Sequence, residues 1–190
     1  MPRRPEYDRE ELIGLARDLF WKQGWAGTSL KDLEKVLKLK PGSFYAAFGS
    51  KDALFELALD RYLEDGRARL NALVDQFGPL EALCVFLDRV VTSAKAPAKA
   101  CMLAKSVLEL TGQDHALAEV ANRHLEVMEA NFADVFRLAQ ANGEIGTAHN
   151  ADLLARRYQS DLMGLRVSAE RDGVNAREIA AEIADGLRQL

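Results

Sequence analysis

The chain has 190 residues, 48% of them hydrophobic and 28% charged, and a formal net charge of −4. That apolar share supplies a sizeable core and excludes a disordered chain, while two cysteines, Cys84 and Cys101, give neither a disulfide framework nor zinc-ligand spacing. The opening MPRRPEYDRE has no apolar stretch of a secretory signal, and the longest uncharged run, residues 41–50, is too short and polar to span a bilayer, so a cytoplasmic protein without a membrane partner is expected.

Charge is unevenly distributed. Residues 1–50 carry 9 Lys/Arg and 7 Asp/Glu, a net of +2, whereas residues 51–190 carry 16 and 22, a net of −6. Lys35 to Lys51 contains four lysines and no acid. Phosphate contacts need locally unopposed cations rather than a basic whole, so the first third is the part suited to a polyanion.

Apolar residues recur with the helical period almost throughout, and no run alternates with period two, which predicts an all-α fold of about nine helices. The first helix follows Asp8, with Glu11 completing a capping box, and turns Leu12, Ala16, Leu19 and Phe20 to one face before Gly24. Ser29, with Asp32 three residues later, caps a second that breaks at Lys38–Leu39. Pro41 suits the first turn of a short third helix over 42–47, whose inner face holds Phe44 and Phe48. Ser50 caps a long fourth helix to about Gln76, and Gly78-Pro79 restarts the chain into a fifth through Leu80, Leu83, Leu87 and Val90. A loop over 93–100 precedes a sixth helix from about Cys101 to Leu110. Asp114 caps a seventh up to Asn142-Gly143, Asn150 caps an eighth ended by Asp172-Gly173, and Asn175 with Glu178 opens a ninth carrying Ile179, Ile183, Leu187 and Leu190.

The second and third helices are short and joined by three or four residues, the spacing of a helix-turn-helix. A helix entering the major groove presents small or polar side chains near its N-terminus, because bulk holds the backbone away from base edges. Gly42, Ser43, Ala46 and Ala47 meet that demand, and Tyr45 leaves the inner face so that its hydroxyl reaches a phosphate. Lys51 stands on the first turn of the fourth helix, where amide groups and the helix dipole favour an anion, and Thr28 and Ser29 repeat that arrangement at the second.

Residues 12–55, centred on FWKQGWAGTSLKDLEKVLKLKPGSFYAAFGSKDALF, resemble the DNA-binding domain of TetR-family transcriptional regulators. The resemblance implies DNA contacts from Thr28, Lys40, Gly42, Ser43, Tyr45 and Lys51, beside which Ser29, Pro41 and Ala46 are also expected at the DNA, and a division into a DNA-binding domain (1–52) and a ligand-binding and dimerisation domain (53–190). It further implies a non-enzymatic regulator, a repressor released from a pseudo-palindromic operator by a small-molecule effector. Its partners are double-stranded DNA, a second copy of the chain and that effector, with no cofactor. Lys38 stands where the family usually has glycine in the turn, a left-handed position that costs a side-chain-bearing residue on the order of 1 kcal/mol. Lys40 replaces the usual Ser or Thr cap, a loss that Pro41 offsets.

In the second domain the stripe Met128, Phe132 and Phe136 fits core, pocket lining or both, as do Tyr158, Met163 and Arg166, the last suited to pairing an acidic ligand or to a dimer edge. The dimer is expected from the last two helices through Leu154, Leu162, Gly164, Leu165, Ile179, Ile183 and Leu187, with Gly164 permitting close approach. ACMLAKSVLEL (100–110) resembles the start of the sixth helix in one subgroup of the family, which includes members with a reactive cysteine near this position. Cys84 lies on an apolar stripe and reads as core. Cys101 opens a helix within a stretch, Arg89 to Leu108, that holds four basic residues and no acid, a setting that favours thiolate if the sulfur is accessible; the alternative is a small residue filling a gap. His115 and Glu119 have metal-ligand spacing, but no second pair converges on them, so no metal site is expected. A small helical enzyme or ligand carrier is the competing class, and no catalytic motif supports it.

Overall fold

The computed structural model describes residues 8–94 and 96–190; the start of the expected DNA-binding segment and Lys95 of the basic stretch lie outside the described residues. Among the described residues there are nine helices and no strand: α1 (Arg9–Gln23), α2 (Leu30–Leu37), α3 (Pro41–Phe48), α4 (Lys51–Phe77), α5 (Pro79–Thr92), α6 (Met102–Thr111), α7 (Leu117–Ala141), α8 (Ala151–Ser168) and α9 (Ala176–Leu187).

Local chemistry fixes the first boundaries. At α2 the Ser29 hydroxyl accepts from the Asp32 N–H while the Asp32 carboxylate accepts from the Ser29 N–H, satisfying two donors that a helix start leaves open. Lys38 is left-handed (φ 54°), and the Leu39 N–H returns to the Glu34 carbonyl at 3.0 Å. α3 has no side-chain cap, and Pro41 at its first position removes one of the open donors. Three expectations are corrected. Asp8 accepts from the Glu10 N–H without the reciprocal bond of a box. Asp114 does not cap α7: it sits in a left-handed turn (φ 51°), and His115 Nδ1 accepts from the Leu117 N–H instead. α8 stops at Ser168, before Asp172-Gly173, where turn bonds from the Glu170 and Arg171 N–H groups take over.

Two apolar clusters divide the molecule, and α4 runs through both. The first gathers Phe20, Leu33, Phe44, Phe48, Leu54, Phe55 and Leu59 from α1 to α4, closed by Met102, Leu103 and Leu110 of α6 and the start of α7. Phe20 meets Phe55 edge-on, with ring centroids 4.8 Å apart. From Leu63 onward α4 belongs to the second cluster, where Leu83, Leu87, Phe132, Phe136 and Tyr158 join α5, α7, α8 and α9. Cys84 is buried there, its thiol pushed up to about 11 chiefly by burial, which keeps it protonated and unreactive at neutral pH.

Candidate nucleic-acid interface and ligand cavity

α3 is held by its inner face alone. Phe44 and Phe48 are buried, while Gly42, Ala46 and Tyr45 (50% exposed) face solvent and Ser43 and Ala47 are half-buried. A Cβ added at Gly42 would meet nothing within 4 Å, so nothing inside the subunit requires glycine there. The uncapped N-terminus leaves the Gly42 and Ser43 amides without a capping side chain, beside Lys40. The result is a small-residue helix face with open donors and a local cation, suited to close approach by a polyanion.

The turn behind it departs from expectation. Thr28 is fully buried (0% exposed), and its hydroxyl donates to the Gly24 carbonyl at 2.7 Å, so its side chain braces the α1–α2 turn and does not face outward. Ser29 is exposed, but its hydroxyl is engaged in the α2 cap. Lys51 points its ammonium at the Trp25 and Thr28 carbonyls (2.8 and 3.1 Å) and lies 3.8 Å from the centre of the Trp25 ring. Desolvation pulls its pKa below the ordinary lysine value, against the raising influence of Asp52 and Glu109. Two carbonyls leave one of its three N–H donors for a phosphate.

The same turn is tied to α6. Glu109 accepts from the Trp25 and Ala26 N–H groups (3.1 and 2.7 Å), and Lys105 Nζ donates to the Trp21 carbonyl at the end of α1 (2.9 Å). Trp21 Nε1 donates to the Ala100 carbonyl just before α6 (2.7 Å). From the other side, Glu170 accepts from the Lys99 and Ala100 N–H groups (2.6 and 2.8 Å), and Arg166 Nη1 donates to the Lys99 carbonyl (3.0 Å). The segment entering α6 is thus pinned between the end of α8 and the end of α1. Lys99 and Lys105, expected to bias Cys101 electrostatically, have their ammonium groups on backbone carbonyls, that of Lys99 on Ser93.

A cavity of about 40 Å³ lies among α4, α5, α6, α7 and α8. Of the residues named from the sequence, Cys101, Met128, Phe132, Met163 and Arg166 line it. Tyr158 does not: its ring is core and its hydroxyl donates to the Leu83 carbonyl at 2.8 Å. Sequence reasoning missed Tyr62, Arg69 and Gln159, which also line the cavity. The Tyr62 hydroxyl donates to Cys101 Sγ at 3.7 Å, and burial raises the Tyr62 pKa further above its ordinary value. His115 packs at a tilt against Trp25 (4.6 Å between ring centroids), with Nε2 3.5 Å from Asp52, an arrangement that braces the same turn.

On α8 and α9 the expected dimer residues separate. Leu162 and Leu165 are buried within the subunit, and Leu154, Ile183 and Leu187 pack partly against its core. Gly164 and Ile179 remain exposed. The outward stripe of α8 is Leu153, Arg157, Ser160, Gly164 and Val167, spaced by fours and threes, with Leu153 and Val167 more than half exposed.

This architecture defines a helix-turn-helix DNA-binding protein with a second helical core behind its reading head. Residues 12–58 match the family model described as bacterial regulatory proteins, tetR family. The chain is 30% identical to a cysteine-substituted TetR family regulator, CifR, solved with a 26-base-pair operator duplex, at a TM-score of 0.82 and covering 98% of both chains. It is 27% identical to the transcriptional repressor ComR of Escherichia coli K12 (91% of this chain, 84% of that protein) and 29% identical to the regulator YezE of Bacillus subtilis 168 (90% and 93%). The chain belongs to the TetR family of DNA-binding transcriptional regulators and is not an enzyme. No helix among the described residues is long and apolar enough to cross a membrane.

Proposed function

We propose that the chain is a cytoplasmic, ligand-responsive repressor that binds a pseudo-palindromic operator as a homodimer. The observation that carries the reading is the pinned segment at 99–100: one end of α6 borders the cavity, and its other contacts hold the α1–α2 turn. A molecule that enlarges the cavity displaces Arg166 or Cys101, shifts α6, and changes the angle at which α3 is presented. The effector acts by preferring the displaced arrangement, a population shift between two states of the dimer. Domains of 1–52 and 53–190 serve this division of labour, with Lys40, Gly42, Ser43, Tyr45 and Lys51 at the DNA. Dimerisation uses the outward stripe of α8 around Gly164 together with Ile179 of α9, because on these two helices Leu153, Gly164, Val167 and Ile179 are apolar or small and left uncovered within the subunit.

Fluorescence anisotropy with a duplex from the chain's own upstream region tests the reading. Wild-type protein is expected to prefer that duplex over a scrambled one by about 10³-fold or more. Glu109→Gln weakens the bonds to Trp25 and Ala26 and lowers operator affinity about tenfold without unfolding. Gly164→Arg with Ile179→Arg places charge on a face exposed in the single subunit, so the variant folds, sediments as a monomer and loses the operator. Equal affinity for both duplexes, or a well-folded dimeric double variant, counts against the proposal.

A further inference from the structure

Resting on the ligand-responsive reading above, we infer that the effector is a small organic acid: an apolar body carrying a carboxylate that is bound by Arg166 and Arg69.

The cavity beside Cys101 adjoins a larger one of about 370 Å³, and the two share Arg69, Phe86 and Arg166. Arg89 lines the larger one as well, and neither lining contains an Asp or a Glu. Three guanidinium groups therefore border these two adjoining cavities, with no carboxylate in the walls of either. None of the three makes an ion pair among the described residues, although nine other arginines of the chain do.

Burial separates this from an ordinary solvated cluster. Arg166 is only 6% exposed, and its one hydrogen bond is from Nη1 to the Lys99 carbonyl. Among the described residues its Nε has no partner, and neither does Oε1 of Gln159, itself 9% exposed on the same cavity wall. A buried cation without a counter-charge is strongly disfavoured, and buried polar atoms in folded proteins are nearly always paired. Arg69, at the exposed rim, is held below its ordinary pKa, by desolvation first and then by the like charge of Arg166, with Tyr62 and Asp65 acting in the opposite sense. An entering carboxylate relieves that repulsion, accepts from Arg166 Nε, and leaves Gln159 Oε1 for a hydroxyl or protonated group on the ligand. Beside these groups the smaller cavity is walled by Leu63, Leu125, Met128 and Phe132, which suits a short alkyl chain or a single ring. The guanidinium that takes the acid at Nε also holds the entry to α6 through its Nη1 bond to the Lys99 carbonyl, so a shift of Arg166 toward the acid is passed to that segment.

The test uses the full-length protein and four probes: hexanoate and phenylacetate, with hexanamide and phenylacetamide as neutral counterparts of nearly equal shape. Titration calorimetry is expected to show both acids binding and each amide binding about 10- to 100-fold more weakly, the size of a charge-assisted pair. Arg166→Gln removes that preference, and Arg69→Gln, a rim substitution that does not disturb the core, reduces it. Inorganic phosphate, an anion with no apolar body, binds far more weakly than either acid. Equal binding of acids and amides, a preference that survives both substitutions, phosphate binding as tightly as the acids, or no acid binding at millimolar concentration overturns the inference. Operator anisotropy in the same solutions separates this from the parent reading. Acids that bind through the arginines without releasing operator leave the anion site standing and remove the ligand-responsive function. Amides that bind and release operator as well as the acids do the reverse.

Discussion

The two cores treat charge in opposite ways. Around the core beneath the reading head, four partly buried ionised side chains each meet a partner: Arg17 meets Asp18 and Asp65, Lys51 and Lys105 meet carbonyls, and Glu109 meets amides. In the core behind it, Arg166 is buried with one carbonyl and Gln159 with an unpartnered oxygen. A closed core gains rigidity from each contact, which a reading head needs in order to present α3 at a fixed angle. A core with unmatched polar groups is completed by something from outside, which is what a sensing domain needs.

The sharpest way to break this comparison is a pair of substitutions followed by urea denaturation. Phe44 is fully buried against Phe48 and Tyr45, and Phe44→Ala is expected to cost about 3–5 kcal/mol and abolish operator binding. Arg166→Met removes an unpaired buried charge of similar volume, and the folded state is expected to be unchanged or stabilised by about 1 kcal/mol. If Arg166→Met destabilises as much as Phe44→Ala, the arginine is a structural element and the contrast between the cores fails.

A second pair separates stability from DNA binding within the reading head. Gly42 has open space where a Cβ would stand, so Gly42→Ala stabilises α3 by about 0.5–1 kcal/mol while an added methyl on the DNA-facing side lowers operator affinity about tenfold or more. Lys51→Met weakens binding to all sequences alike. If the third donor of Lys51 meets a phosphate, the salt dependence of binding also flattens by about one unit. An unchanged slope with a lower melting temperature assigns Lys51 wholly to the turn it braces.

The reading head was legible because its determinants are local. The Ser29–Asp32 box, the left-handed Lys38 and Pro41 at the start of α3 each act over four residues or fewer. Thr28 misled because a hydroxyl near a helix start suggests an outward contact, whereas Gly24 four residues earlier supplies a buried acceptor. The cavity was only partly legible. Tyr62 and Arg69 of α4 share a cavity wall with Gln159 of α8, separated from it by some ninety residues of chain, and nothing in the local pattern of either helix signals the other. α8 was misread for a related reason. Apolar residues occur on both its sides, and periodicity alone does not say that Leu162 and Leu165 face the subunit's own core while Leu153 and Val167 face away.

The smallest expected effect lies in the α2 cap and is a matter of sign. Asp32 is held below its ordinary value of 3.8, first by the Ser29 hydroxyl and then by the Ser29 N–H, against an opposing desolvation and with a lesser contribution from the charge of Lys35. A carboxyl whose folded pKa is depressed adds stability that is fully present above the unfolded value and lost as pH falls through the folded one. The contribution of Asp32 is therefore constant at neutral pH and fades below 3.8. Asp32→Asn keeps an oxygen that accepts from Ser29 but cannot titrate. Urea midpoints of the two proteins are expected to differ slightly near neutrality and to converge in acid, with the wild-type curve falling more steeply. Because the cap is exposed and screened, the difference should also shrink with added salt. Parallel curves at every pH would mean that the α2 cap is held by the Ser29 hydroxyl alone, and that the reading head owes nothing to ionised Asp32.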